Sequence, residues 1–224
     1  MSDTVPFDSE KEVAAEVYDA ALRLLRQYTD FLNALAAENL RSYTAISTYV
    51  PGSTIGKHVR HVLDHFRILL TETSNQAEAV RQVKQAQGIH DGDSPENGTE
   101  IVDGARGAIK VNYDERQRDP QVEQDPYAAL ASIEEIRQSL LRVAASKMRL
   151  DTHIALEATL NPRKHDVPFS SSFGRELWFV CHHAIHHAAL QRAICVEYNI
   201  PVSDDFGVAP STVKHHLQHE KAGQ

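Results

Sequence analysis

Apolar residues recur at three-, four- and seven-residue steps in four long stretches of the chain, which is the spacing of an amphipathic helix. The first stretch, 9–37, contains no Gly or Pro, and Asp8 or Ser9 can cap its start. The second, 55–73, follows a Pro-Gly pair that breaks the chain. This pattern predicts two long helices in the first third of the sequence.

Two further helices are predicted in the second half of the chain. Asp125 as cap and Pro126 as first helical residue open one of them. The other, 173–198, has no Pro, and Ser171 or Ser172 can cap its start.

The segments between the helices differ in composition. Residues 88–107 are rich in Gly, Asp and Asn, which predicts a long flexible loop, and 150–172 fits a small β-hairpin. The tail, 211–224, is polar, and we expect its three histidines to be exposed. The chain is therefore predicted to be an all-α single domain, 1–224: an antiparallel four-helix bundle with a long loop insertion and a small β-hairpin.

Composition and charge narrow the classes of function. The chain has 224 residues, 42% of them hydrophobic, and a net charge of -8, so it lacks the basic surface that nucleic-acid binding needs. It has no apolar leader segment and no run of eighteen apolar residues, so we expect neither secretion nor a membrane span. Cys181 and Cys195 lie about 21 Å apart along one helix, too far for a disulfide. Two unpaired thiols predict a reducing, cytoplasmic location.

Four of the thirteen histidines fall within six residues of the last helix. On a helical wheel, His183 and His187 share the apolar face, whereas His182 and His186 share a more polar face with Arg175. Two imidazoles one turn apart on an inward face can bind a divalent metal ion together. The pair on the polar face remains an alternative.

The second helix carries three histidines along one edge of its apolar stripe: His58, His61 and His65. A groove between this helix and the last one brings a third imidazole toward His183 and His187. Burying imidazoles without a partner costs about 1–3 kcal/mol for each unsatisfied group, and a metal ion supplies that partner. Without an obvious fourth protein ligand, such a site keeps open coordination positions.

Other polar residues on the two helices are candidates for the second shell of the ion. Glu176 shares the face of His183 and could accept a hydrogen bond, act as a general base, or complement the helix dipole. Gln191 follows His187 by one turn and could hydrogen-bond near the site or be a buried structural amide. His65 is the third candidate for the second shell. Catalytic residues remain unknown.

The segment that precedes the third helix could also contribute to the groove. Tyr113, Asp114, Arg116 and Arg118 lie in it and could close over the groove and present charge to an anionic substrate. The alternative is an ordinary solvated loop. Cys181 lies away from the His183 face, which argues against a Cys/His nucleophilic pair.

The pieces STIGKHVRHVLDHF and SSSFGRELWFVCHHAIHHAAL resemble the DinB-like superfamily of four-helix bundles. In that superfamily one histidine on the second helix and an H-x-x-x-H pair on the last helix form a metal site. The resemblance implies His61, His183 and His187 as ligands, because His61 follows Thr54 by the seven residues that the family shows. It also implies zinc or nickel as the ion, and some members resemble thiol-dependent S-transferases or isomerases that use a low-molecular-weight thiol.

Two functional hypotheses follow from the residues and the resemblance together. The first is a divalent-metal-dependent enzyme of the thiol-transferase or hydrolase kind that acts on an unidentified small molecule. The second is a non-enzymatic metal-binding or stress-related bundle that acts through a dimer or partner interface, since the last helix is apolar around most of its circumference. We expect no nucleic acid or membrane as partner and a homodimer as a candidate assembly.

Overall fold

The computed structural model describes residues 9–86, 109–116, 118–146 and 148–222. The described chain is mostly helical and carries one small three-stranded sheet. The loop predicted at 88–107 lies outside the described residues. In chain order the elements are α1 (Glu10–Glu38), a 3-10 helix (Leu40–Tyr43), α2 (Ile55–Ala86), β1 (Ile109–Asn112), α3 (Pro120–Gln124), α4 (Pro126–Ala145), β2 (His153–Ala158), β3 (Val167–Ser172), α5 (Phe173–Glu197) and α6 (Pro210–Ala222).

The four long helices begin at the residues that the sequence predicts. In each case a cap side chain accepts a hydrogen bond from a backbone N–H of the first turn: Ser9 for α1, Thr54 for α2, Asp125 for α4 and Ser172 for α5. These caps satisfy N–H groups that have no partner inside the helix. The predicted starts are therefore confirmed, although α2 continues well beyond residue 73.

The predicted hairpin is confirmed as β2 and β3, which pair antiparallel. The sequence analysis missed β1, which pairs with β2 in parallel and aligns Ile109 with Ile154. Both of these isoleucines are buried, and β1 lies against α2. As a result, the segment that follows β1 begins beside α2.

The long helices pack against one another through an apolar core. Among the described residues, α2 contacts α4 and α5, and α1 contacts the same two helices. Fully buried residues fill the space between them, for example Leu32 of α1, Phe66 of α2, Leu140 of α4 and Leu177 of α5. The contact between α2 and α5 places the histidines of both helices side by side.

The end of the chain differs from the prediction. Residues 210–222 form α6, whereas the sequence analysis predicts only a polar tail. Pro210 suits the first turn of a helix, where its missing N–H has no partner to lose. The remaining positions are polar nearly all round and give no apolar stripe that would indicate a helix. The three histidines of α6 are exposed, as predicted.

No helix within the described ranges combines the length and the apolar character needed to cross a membrane.

Candidate metal centre

The seam between α2 and α5 brings His61, His183 and His187 together. One ring nitrogen from each residue can be chosen so that all three nitrogens lie within 4.8 Å of one another. The Nε2 atoms of His61 and His183 are 2.8 Å apart. All three side chains are half-buried, so the cluster borders solvent without being open to it.

A chain of hydrogen bonds orients His187. Its Nδ1 lies 2.7 Å from Nδ1 of His58, and Nε2 of His58 lies 2.9 Å from Oγ of Ser53. If each imidazole donates in the direction of Ser53, Nε2 of His187 keeps its lone pair. A metal-binding histidine characteristically donates its other N–H to such a partner.

His65 lies beside the cluster and packs against the ring of His183. Its Nδ1–H donates to the carbonyl oxygen of His61 over 2.8 Å, and its ring centroid is 4.3 Å from that of His183. Tyr113 stacks on the ring of His65, with the ring centroids 5.0 Å apart and an interplanar angle of 11°. His65 is therefore packed next to the three-histidine cluster, which fits its predicted supporting position.

The environment of the cluster keeps its imidazoles uncharged. Burial, reinforced by neighbouring imidazoles, lowers the pKa of His61 to about 2, of His183 to about 4 and of His187 to about 3. Arg116 also lowers the pKa of His61 and His183 through its positive charge. Neutral imidazole is the form that binds metal ions.

The spacing of the nitrogens suits a transition-metal ion. With metal–nitrogen bonds of about 2.0–2.1 Å and tetrahedral angles, ligand nitrogens lie about 3.3 Å apart. His61 and His183, at 2.8 Å, would have to separate by only about half an ångström. An all-imidazole ligand set suits zinc, copper, nickel or iron better than magnesium or calcium.

The segment after β1 closes over this seam, as one of the two sequence-based alternatives predicts. Tyr113 is buried, and Nη1 of Arg116 hydrogen-bonds Nδ1 of His61. Asp114 and Arg118 do not take part: Asp114 accepts from the backbone of Thr159 and Arg118 is exposed. Nothing in the sequence links Arg116 to His61, because 55 residues separate them.

Glu176 lies behind Tyr113 and is fully buried. Its carboxylate accepts hydrogen bonds from the Tyr113 hydroxyl over 3.0 Å, from Ser171 over 2.5 Å and from Arg175 over 2.7 Å. Glu176 thus reaches the cluster only indirectly, through Tyr113 and His65, and its role in the second shell stays a prediction. Gln191 is also fully buried, and neither polar atom of its amide has a hydrogen-bond partner among the described residues.

His182 and His186, the alternative pair, lie outside the seam. Their ring centroids are 4.3 Å apart, and the half-exposed Trp178 stacks on His182. Within the described ranges, no third histidine, cysteine or carboxylate completes a ligand set with them. The structure thus brings together the residues of the inward pair and His61, and metal binding by them stays a prediction.

Comparisons with known proteins give one informative similarity. The chain is 43% identical over 106 residues to FK506-binding protein 5 of Rhizopus delemar, a match that covers 47% of this chain and 27% of that protein. The chain thus matches only about a quarter of the length of this curated relative. No family model and no solved structure matches.

This similarity corrects the family assignment made from the motifs. A relative named as an FK506-binding protein points away from the DinB-like superfamily, so the resemblance is wrong. The metal-dependent thiol-transferase or hydrolase function and its stress-related alternative are wrong with it. The expectation of zinc or nickel came from that superfamily, so it is no longer supported. The physical reason is the low specificity of the motif, because a histidine pair at i, i+4 opposite another histidine needs only two packed helices.

Proposed function

We propose that His61, His183 and His187 hold a divalent transition-metal ion. The observation that carries this proposal is the convergence of three imidazole nitrogens within 4.8 Å in a half-buried seam. The low pKa values of the three side chains support it, because the ligands would be deprotonated at neutral pH. The hydrogen bond between Nδ1 of His58 and Nδ1 of His187 supports it further, because it restricts the ring of His187.

The proposed centre belongs to a proposed antiparallel four-helix bundle of α1, α2, α4 and α5. The contacts of α1 and α2 with both α4 and α5 support this arrangement. In such bundles, metal sites are built from side chains on facing helices. We further propose a cytoplasmic location, which the free thiols of Cys181 and Cys195 support.

Calorimetric titration of zinc into chelator-treated protein tests the metal proposal. The background should lack His215, His216 and His219, because the exposed pair His215 and His219 on α6 has rings 4.3 Å apart and can bind ions weakly by itself. In this background we expect one equivalent of zinc.

Two double variants distinguish binding at the proposed site from binding at neighbouring histidines. His183→Ala with His187→Ala removes two of the three ligands, and binding should weaken at least 100-fold. His182→Ala with His186→Ala removes an equal number of imidazoles one residue away, and binding should be unchanged. Equal loss in both variants, or no binding in the parent, would contradict the proposal. Circular dichroism should show that all variants remain helical.

A second candidate function rests on the comparison alone. The curated relative is named for binding FK506, and 43% identity over 106 residues supports the same binding here. Calorimetric titration of FK506 into the metal-free protein tests it, with a saturable one-to-one heat as the expected result. Absence of heat would place FK506 binding in the part of the relative that this chain does not match.

A further inference from the structure

Arg116 is a cation beside the candidate metal centre, and it makes one hydrogen bond to another residue of the described ranges. Its Nη1 donates to Nδ1 of His61, and the buried Nε has no hydrogen-bond partner among the described residues. No carboxylate in the described ranges forms an ion pair with it at salt-bridge distance. A guanidinium has five N–H donors, so most of its donors remain available.

The hydrogen bond between Arg116 and His61 excludes metal binding by the same imidazole. Nδ1 of His61 must offer a lone pair to accept from the guanidinium, and its proton is then on Nε2, facing His183. An imidazole that binds an ion through Nε2 carries its proton on Nδ1 and cannot accept from Arg116. If Nδ1 were the ligand instead, the guanidinium would occupy the position of the ion. With either nitrogen, metal binding frees the Arg116 guanidinium.

The charges around the seam leave this freed guanidinium with only a share of one anion among the described residues. Asp64 is the carboxylate that interacts with it, and Asp64 also interacts with Arg60 and with Arg67, whose Nη1 is 3.3 Å away. Glu176 is already paired with Arg175. Three neutral imidazoles do not offset the charge of a divalent ion, so binding the ion adds positive charge beside a cation.

We propose that a small carboxylate ligand completes the metal-loaded site, bound by the ion and by Arg116 together. This inference rests on the proposed metal centre. Three histidine ligands leave a coordination position for one carboxylate oxygen. The planar guanidinium matches the geometry of a carboxylate and binds it with charge-assisted hydrogen bonds. Arg116 is then a specificity residue that selects an anion over a neutral ligand of the same shape.

Cobalt-substituted protein provides the test, because the visible absorption of Co²⁺ reports changes among its ligands. Acetate and acetamide serve as probes, since they have the same shape and differ in charge. Arg116→Gln removes the proposed contact, and Arg118→Gln is the matched control, because it removes one positive charge from an exposed position of the same segment.

We expect acetate to perturb the cobalt spectrum of the parent protein and of Arg118→Gln with equal affinity, and acetamide to have a much weaker effect. In Arg116→Gln, acetate affinity should fall roughly tenfold or more. In acetate-free buffer, Arg116→Gln should bind Co²⁺ more tightly than the parent, because no guanidinium competes for His61.

The outcomes separate the two proposals. Normal cobalt binding with equal acetate affinity in the parent and in Arg116→Gln would overturn the carboxylate inference and leave the metal centre standing. An equal response to acetate and acetamide in the parent would do the same. A parent protein that binds no cobalt would overturn the metal centre and the inference with it.

Discussion

His61 on α2 and His183 on α5 face each other with their Nε2 atoms 2.8 Å apart. At this distance the two nitrogens cannot both carry a proton, so the metal-free seam shares one proton between them. A divalent ion can replace that proton and bind both lone pairs at once. The packing of α2 against α5 therefore sets the distance between two of the proposed metal ligands.

Replacing His61 alone should weaken metal binding strongly. His61→Ala removes the only proposed ligand on α2 and leaves two ligands on one helix. We expect the zinc affinity in calorimetric titration to fall by at least about tenfold, because losing even a supporting partner of a metal ligand costs about 10- to 100-fold. His58→Ala should have a smaller effect, because His58 contacts the cluster only through His187. A larger effect of His58→Ala would contradict the assigned ligand set.

Acidification should destabilise the metal-free protein. The pKa of His61 falls to about 2 and that of His183 to about 4 in the folded state, below the ordinary histidine value of about 6.5. Below pH ~6.5 the unfolded chain thus binds more protons than the folded chain, and the free energy of unfolding falls as the pH falls. We expect the melting temperature to be flat from pH 8 to 7 and to decrease from pH 6.5 to 4.5.

The variant His61→Asn, His183→Asn, His187→Asn provides the comparison for this pH dependence. It lacks the three imidazoles with lowered pKa, so its melting temperature should decline less over the same interval. An identical decline in both proteins would show that other groups cause it.

Removing the Tyr113 hydroxyl should reduce stability more than it reduces metal affinity. This hydroxyl donates to the buried Glu176 carboxylate over 3.0 Å, and its loss leaves that carboxylate with one donor fewer. We expect Tyr113→Phe to lower the free energy of unfolding by about 1–2 kcal/mol in denaturant titration. Zinc affinity should change less than threefold, since the ring that stacks on His65 remains.

Tyr127→Phe is the control for this substitution, because Tyr127 is largely exposed. Its effect on stability should stay within about 0.5 kcal/mol. Equal effects of the two tyrosine substitutions would contradict a role for Tyr113 in holding Glu176.

Gly56 should not tolerate a side chain. A Cβ built at this position of α2 would lie 2.0 Å from the Glu123 carbonyl oxygen and 2.8 Å from the Tyr43 ring. We expect Gly56→Ala to destabilise the fold by about 1–3 kcal/mol, because the backbone of α3 would have to move. In an unobstructed helix the same change stabilises by about 0.5–1 kcal/mol, so a rise in melting temperature would contradict this packing.

The helices and the histidine pairing could be predicted because local patterns determine them. Ser9, Asp125 and Ser172 are cap residues directly before apolar repeats, and their role depends only on the first turn of each helix. The inward position of His183 and His187 follows from the helical period and the apolar neighbours of each.

The remaining features depend on contacts between distant segments. The parallel pairing of Ile109 with Ile154 and the hydrogen bond of Arg116 to His61 join residues far apart in sequence, and no local pattern indicates either. The helix from Pro210 has no apolar stripe, so periodicity could not reveal it. The family assignment was wrong for a related reason. The spacing of histidines shows which of them share a helix face, but it does not show to which family the chain belongs.

Anomalous diffraction from a crystal grown with one equivalent of zinc is the most direct test of the central claim. Data collected at the zinc absorption edge should show one strong peak between α2 and α5, about 2.0–2.1 Å from a ring nitrogen of each of His61, His183 and His187. No peak in this seam, or peaks only at His182 and His186 or on α6, would contradict the account.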